Sequence, residues 1–177
     1  MEPTNLDHLR ISNAVSRLTG HVCWKVLAGK GTGSVVHLGF GEKIRRLREL
    51  KNPTLPLVHR QYDAAMSILL HSGWRLSEKG RVICGWRDYE AIQGEASCLL
   101  AELENSRLLD AHVRSPAYDL SLTFEGEVVL DVFCDQTNSN EADENYNIFL
   151  PQEILTVGVR SVLMIETRST VGVTGQP

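Results

Sequence analysis

No stretch of this 177-residue chain approaches the roughly 18 consecutive apolar residues of a membrane helix. The first 20 residues also lack the basic, apolar and small-residue order of a signal peptide. The expectation is a cytoplasmic protein without membrane contact. Cysteine is scarce and scattered: Cys23, Cys84, Cys98 and Cys134 form no C-x-x-C pair, and as small buried hydrophobes they fit a reducing compartment. The six histidines, His8, His21, His37, His59, His71 and His112, show neither H-x-x-x-H nor H-E-x-x-H spacing. No zinc site is readable, and no cofactor is expected.

Catalytic motifs are equally sparse. There is no G-x-S-x-G elbow, and Cys134 has no recognisable histidine motif, so nucleophilic catalysis has no positive support and no catalytic residue is named. A metal-dependent, nuclease-like enzyme would need carboxylates and a lysine converging on a metal. Glu49-Leu50-Lys51 has the E-x-K form but lies on a basic run with no aspartate on a preceding strand, while Asp119, Glu127 and Asp131 have no lysine partner. The glycines of residues 28–34, AGKGTGS, do not make a nucleotide P-loop, because the lysine precedes the last glycines and a strand follows instead of a helix. They read as a hairpin connection.

What the sequence does hold is a good deal of strand. At 42% hydrophobic and 23% charged it suits one globular domain, or two small halves sharing a core. Residues 115–135 organise the rest. Leu120, Leu122 and Phe124 alternate with Asp119, Ser121 and Thr123, Glu125-Gly126-Glu127 supplies a turn, and Val128, Leu130 and Val132 return in a second strand.

Upstream, Thr4-Asn5-Leu6-Asp7 resembles a capped helix start, with Ile11, Val15 and Leu18 at helical spacing until Gly20. Val22, Trp24 and Val26, then Val36, Leu38 and Phe40, predict a strand pair. Residues 52–56 form a linker. Tyr62, Ala65, Met66, Leu69 and Leu70 predict a helix over 60–71. Residues 74–76 and 81–86 follow as strands, 90–105 as a helix with Ile92, Ala96, Leu99, Leu100 and Leu103 on one face, and 108–113, 146–150, 155–159 and 161–167 as further strands. Residues 170–177 are expected to fray.

A shift of 84 residues lays Val36, Leu38 and Phe40 on Leu120, Leu122 and Phe124. The expected architecture is therefore α+β, with two related helix-plus-antiparallel-meander halves, residues 1–87 (carrying the inserted helix) and 88–169, sharing one core.

Charge is polarised: residues 1–60 hold 10 Lys/Arg against 4 Asp/Glu, and residues 61–177 hold 8 against 18. The basic run at 42–51 offers Lys43, Arg45, Arg46, Arg48 and Lys51 as an alternative nucleic-acid contact, without interleaved aromatics for base stacking; a solvated helix face or an extended strand end is the other reading. The acidic loop 135–145 fails as a calcium loop, since Asn140 stands at the glycine position and Tyr146 at the final glutamate. With Asp131, Asp135, Glu141, Asp143 and Glu144 it can form a contact surface for a basic protein partner. Homo-oligomerisation is left open.

Trp24, Gly31-Thr32-Gly33-Ser34 before a V-x-L-x-F-G strand, Trp74-Arg75-Leu76, the 119–124 strand, Leu130-x-Val-Phe and Asp135-Gln136 together resemble a loose group of small uncharacterised bacterial proteins, similar to immunity-type proteins of polymorphic toxin systems. The shared residues are fold-forming. The resemblance implies a binding role, a non-catalytic module acting stoichiometrically on another protein, and transfers no site residue.

Overall fold

The computed structural model describes residues 5–28, 35–88, 99–137 and 144–168. The first helix, α1 (Asn5–Ser16), buries Ile11, Ala14 and Val15, with Leu18 just beyond its end. Thr4, its expected cap, lies outside the described residues. Five strands follow with one short helix among them: β1 (Cys23–Leu27), β2 (Val36–Arg45), α2 (Leu57–Gln61), β3 (Tyr62–Leu70), β4 (Trp74–Glu78) and β5 (Arg81–Gly85). The remaining strands are β6 (Leu108–Arg114), β7 (Asp119–Phe124), β8 (Val128–Val132), β9 (Tyr146–Phe149), β10 (Glu153–Val157) and β11 (Leu163–Thr167). No helix among the described residues is long and apolar enough to cross a membrane.

The strands form two antiparallel sheets, ordered β1-β2-β3-β9-β10-β11 and β5-β4-β8-β7-β6. The fold is α+β with two sheets over a shared core. Neither half of the chain keeps a sheet to itself: β1–β3 are completed by β9–β11, and β6–β8 are completed by β4 and β5. The seams are the β3–β9 and β4–β8 pairings. Val36, Leu38 and Phe40 of β2 and Leu120, Leu122 and Phe124 of β7 all enter the same core, each from the middle strand of a three-strand run. Alternation is what makes this work, because the period of two sends one face of each strand inward and leaves the other for polar groups.

One element is corrected. Of the helix expected over 60–71 only Arg60 and Gln61 are helical, at the end of α2, and residues 62–70 form β3, paired with β2 on one side and β9 on the other. Met66, Ile68 and Leu70 face the core, while Ala65 and Leu69 fall on alternate positions. A central strand with apolar residues on both faces imitates a helical stripe, and its neighbours decide the outcome. The basic run is the strand end of the two readings, β2 continuing to Arg45 before an irregular return in which Arg46 N–H donates to Gln61 O at 2.8 Å.

Most of the helix expected over 90–105 lies outside the described residues. Residues 99–101 are helical, and Leu100 and Leu103 are buried. The glycine-rich residues 29–34 and the tail 169–177 also lie outside them, as does Cys98.

Candidate functional site

The three acidic candidates among the described residues, Asp131, Asp135 and Glu144, sit in different surroundings. Asp131, on β8, is buried on the outer side of the second sheet, and the strand register places Arg75 of β4 and Ser121 of β7 directly opposite it. Arg75 Nη2 donates to Asp131 Oδ2 at 2.8 Å; Ser121 Oγ and Arg114 Nη2 donate to Oδ1 at 2.9 and 3.3 Å. Its charge is therefore committed within the fold. Glu144 accepts a hydrogen bond from Asn147 of β9, which also donates to Thr156 Oγ1 at 2.9 Å and shares a hydrogen bond with His71. It belongs to the first sheet. Glu141 and Asp143 lie outside the described residues.

Asp135 is exposed and sits in different company. A methyl group at Gly73 would meet Trp86 Nε1 at 3.0 Å and Asp135 Oδ2 at 3.3 Å, so the bare backbone at Gly73 is what lets the indole and the carboxylate come together. Trp86 is 39% exposed, just past the end of the edge strand β5, where Val82 and Ile83 are also exposed. The Arg87 guanidinium lies 5.4 Å from the Trp86 ring centre, and that of Arg75 lies 5.3 Å from Phe133. The result is an aromatic and arginine surface with Asp135 at its margin, beside β5, which ends the second sheet among the described residues.

The basic candidates differ in their contacts. Lys43 lies 5.0 Å over the Trp24 ring, and Arg46 Nη2 is 3.0 Å from Asp63 Oδ1. Arg45, Arg48 and Lys51 are exposed, and Glu49 pairs with Arg60 at 3.3 Å. Among the described residues no group of three or more His, Cys, Asp or Glu side chains is placed to hold a metal ion.

A further site was not readable as a motif. The outer side of the first sheet holds a cavity of about 460 Å3, lined by Lys25, His37, Arg46, Asp63, Ser67 and Arg168, with apolar walls from Leu27, Val35, Leu69 and Phe149. Lys25 is buried to 1% exposure and its ammonium donates to Asp63 Oδ1 at 3.2 Å; that oxygen also accepts the Ala64 N–H at 3.0 Å. A methyl group at Gly39 would fall 2.9 Å from Ala64 Cβ and 3.1 Å from Lys25 Cβ, so Gly39 makes the space in which the lysine lies across the sheet.

Burial pulls the Lys25 pKa below the usual lysine value, against the attraction of Asp63. Burial raises Asp63, but the charges of Lys25 and Arg46 outweigh it and hold the carboxyl below its ordinary value. His37 is pulled down to about 4 by burial first and then by the Lys25 charge, and its Nδ1 is buried without a hydrogen-bond partner. Burial likewise pushes the Cys23 and Cys84 thiols up to about 12 and about 11, which leaves them poor nucleophiles.

The cavity residues come from six separated places in the chain, with no fixed spacing. The one local signal is a lysine interrupting the alternating Val22, Trp24 and Val26. Compared with protein-family models, with curated proteins and with solved structures, the chain finds no match.

Proposed function

We propose that this protein is a non-catalytic, protein-binding module that acts stoichiometrically, in the manner of an immunity or inhibitor protein, by covering a surface of its partner. The observation that carries the reading is Trp86, held partly in solvent beside Arg87 and Asp135 at the β5 edge, which no other strand among the described residues pairs. Exposed tryptophan and arginine at the centre of a patch are the residue types that dominate protein interfaces energetically. A strand edge offers backbone donors and acceptors to an added strand. Asp135 continues into the acidic stretch through residue 144, which suits a partner with a basic rim.

The immunity-type resemblance, and the bacterial and cytoplasmic setting that goes with it, rest on the fold-forming residues already named. That the two halves are copies of one unit is part of the same proposal, supported by the matching places of β2 and β7.

The test is affinity capture from the native host at moderate salt with nuclease treatment, comparing the wild type with Trp86→Ala and Asp135→Lys. One stoichiometric protein partner, lost with Trp86→Ala and reconstituted from purified components, supports the reading. A partner retained equally by both variants, or recovery of nucleic acid alone, overturns it.

A further inference from the structure

We propose that the cavity on the outer side of the first sheet binds a small amphiphilic dianion of the phosphate monoester class. Charge is the first argument. Lys25, Arg46 and Arg168 face the cavity and, among the described residues, Asp63 is the one acidic side chain lining it, leaving a surplus of two positive charges there while His37 is neutral. Asp63 is half exposed and shares a single oxygen between Lys25 and Arg46, so it is a weak counterweight to an ammonium that is itself buried. An ammonium taken out of water needs compensation from within the protein or from a ligand.

The donors also converge. Arg168 Nη1 donates to Leu150 O at 3.2 Å, which fixes the guanidinium at the rim, and among the described residues it makes no salt bridge. Among the described residues, the buried Nδ1 of His37 in the same lining has no hydrogen-bond partner. Buried polar atoms are ordinarily satisfied, and one left over in the wall of a cationic cavity points to a group that enters it.

Shape sets the rest of the ligand. A bare phosphate would leave most of about 460 Å3 unfilled, and Leu27, Val35, Leu69 and Phe149 provide an apolar wall for a hydrocarbon or ring. Two surplus positive charges favour a dianionic head over a monocarboxylate. This site and the Trp86 surface lie on different sheets, so either proposal can fail alone.

Phenyl phosphate is the probe, with phenol, benzoate and inorganic phosphate as comparators, titrated calorimetrically into the full chain and followed by NMR of the His37 ring. Phenyl phosphate is expected to saturate and to bind at least about tenfold more tightly than any comparator. The bound dianion raises the His37 pKa from its low free value. Arg168→Ala, an exposed site whose change leaves the fold intact, weakens binding by about tenfold or more, and Lys25→Met does the same. Failure to saturate at roughly 10 mM, equal binding of benzoate, or unchanged affinity in Arg168→Ala overturns the proposal.

Discussion

Lys25 and Asp63 meet across β1 and β3 at 3.2 Å, the ammonium buried and the carboxylate half in solvent. The asymmetry makes the two halves of the pair unequal in mutation. Asp63→Asn strips the buried ammonium of its charged partner and is expected to lower stability by about 1–3 kcal/mol. Lys25→Met leaves Asp63 still bonded to Arg46 and replaces a buried charge by a side chain of similar length, with an expected cost below about 1 kcal/mol. Urea midpoints of the two variants measure the difference; a larger loss in Lys25→Met would show that the lysine holds the fold together.

His37 makes stability depend on pH. Its folded pKa of about 4 lies below the ordinary 6.5, so the folded state binds fewer protons between those values. The contribution is complete above 6.5 and is lost as the pH falls through about 4. Denaturation at a series of pH values should show stability declining across this window, and His37→Gln should flatten that part of the profile. Asp63, with its pKa held below the usual carboxylate value, adds a further loss at lower pH. An identical slope in His37→Gln would contradict the assignment.

Asp131 and Asp135 are four residues apart and are expected to respond very differently. Asp131→Asn weakens a buried carboxylate that accepts from Arg75, Arg114 and Ser121, and should cost about 1–3 kcal/mol. Asp135→Asn, at an exposed position, should change stability by less than about 0.5 kcal/mol. Thermal melts of both decide the point.

The shared core predicts one cooperative transition. Phe40 of β2 and Phe124 of β7 are both fully buried in the same cluster, and truncation of either to alanine should cost about 3–5 kcal/mol. Near-UV and far-UV signals should fall together in the wild type. Two separated transitions would mean that the sheets are independent.

The sequence made the strands legible wherever one face is buried and the other polar, as in β7, where Leu120, Leu122 and Phe124 alternate with Asp119, Ser121 and Thr123. It misled at β3, because Leu69 lines the cavity while Ile68 and Leu70 face the core, and apolar residues on both faces erase the alternation. The pairing of β3 with β9 joins residues nearly 80 positions apart, a relationship that local periodicity does not encode.

For the candidate sites, proximity in the chain was a poor guide to proximity in space. Asp131 and Asp135 look alike in sequence, yet the register places Arg75 and Ser121 opposite Asp131 and engages its carboxylate within the sheet, while Asp135 is exposed. Trp86 and Asp135 both approach the bare backbone at Gly73, and the cavity gathers residues from Lys25 to Arg168.

The central claim is that a protein partner is held at the β5 edge around Trp86. Hydrogen exchange of the purified complex against the free chain measures this directly. The account predicts slowed exchange over residues 81–88 and 133–137, with little change over 43–51. Protection confined to the basic run, or absent from β5, would contradict it.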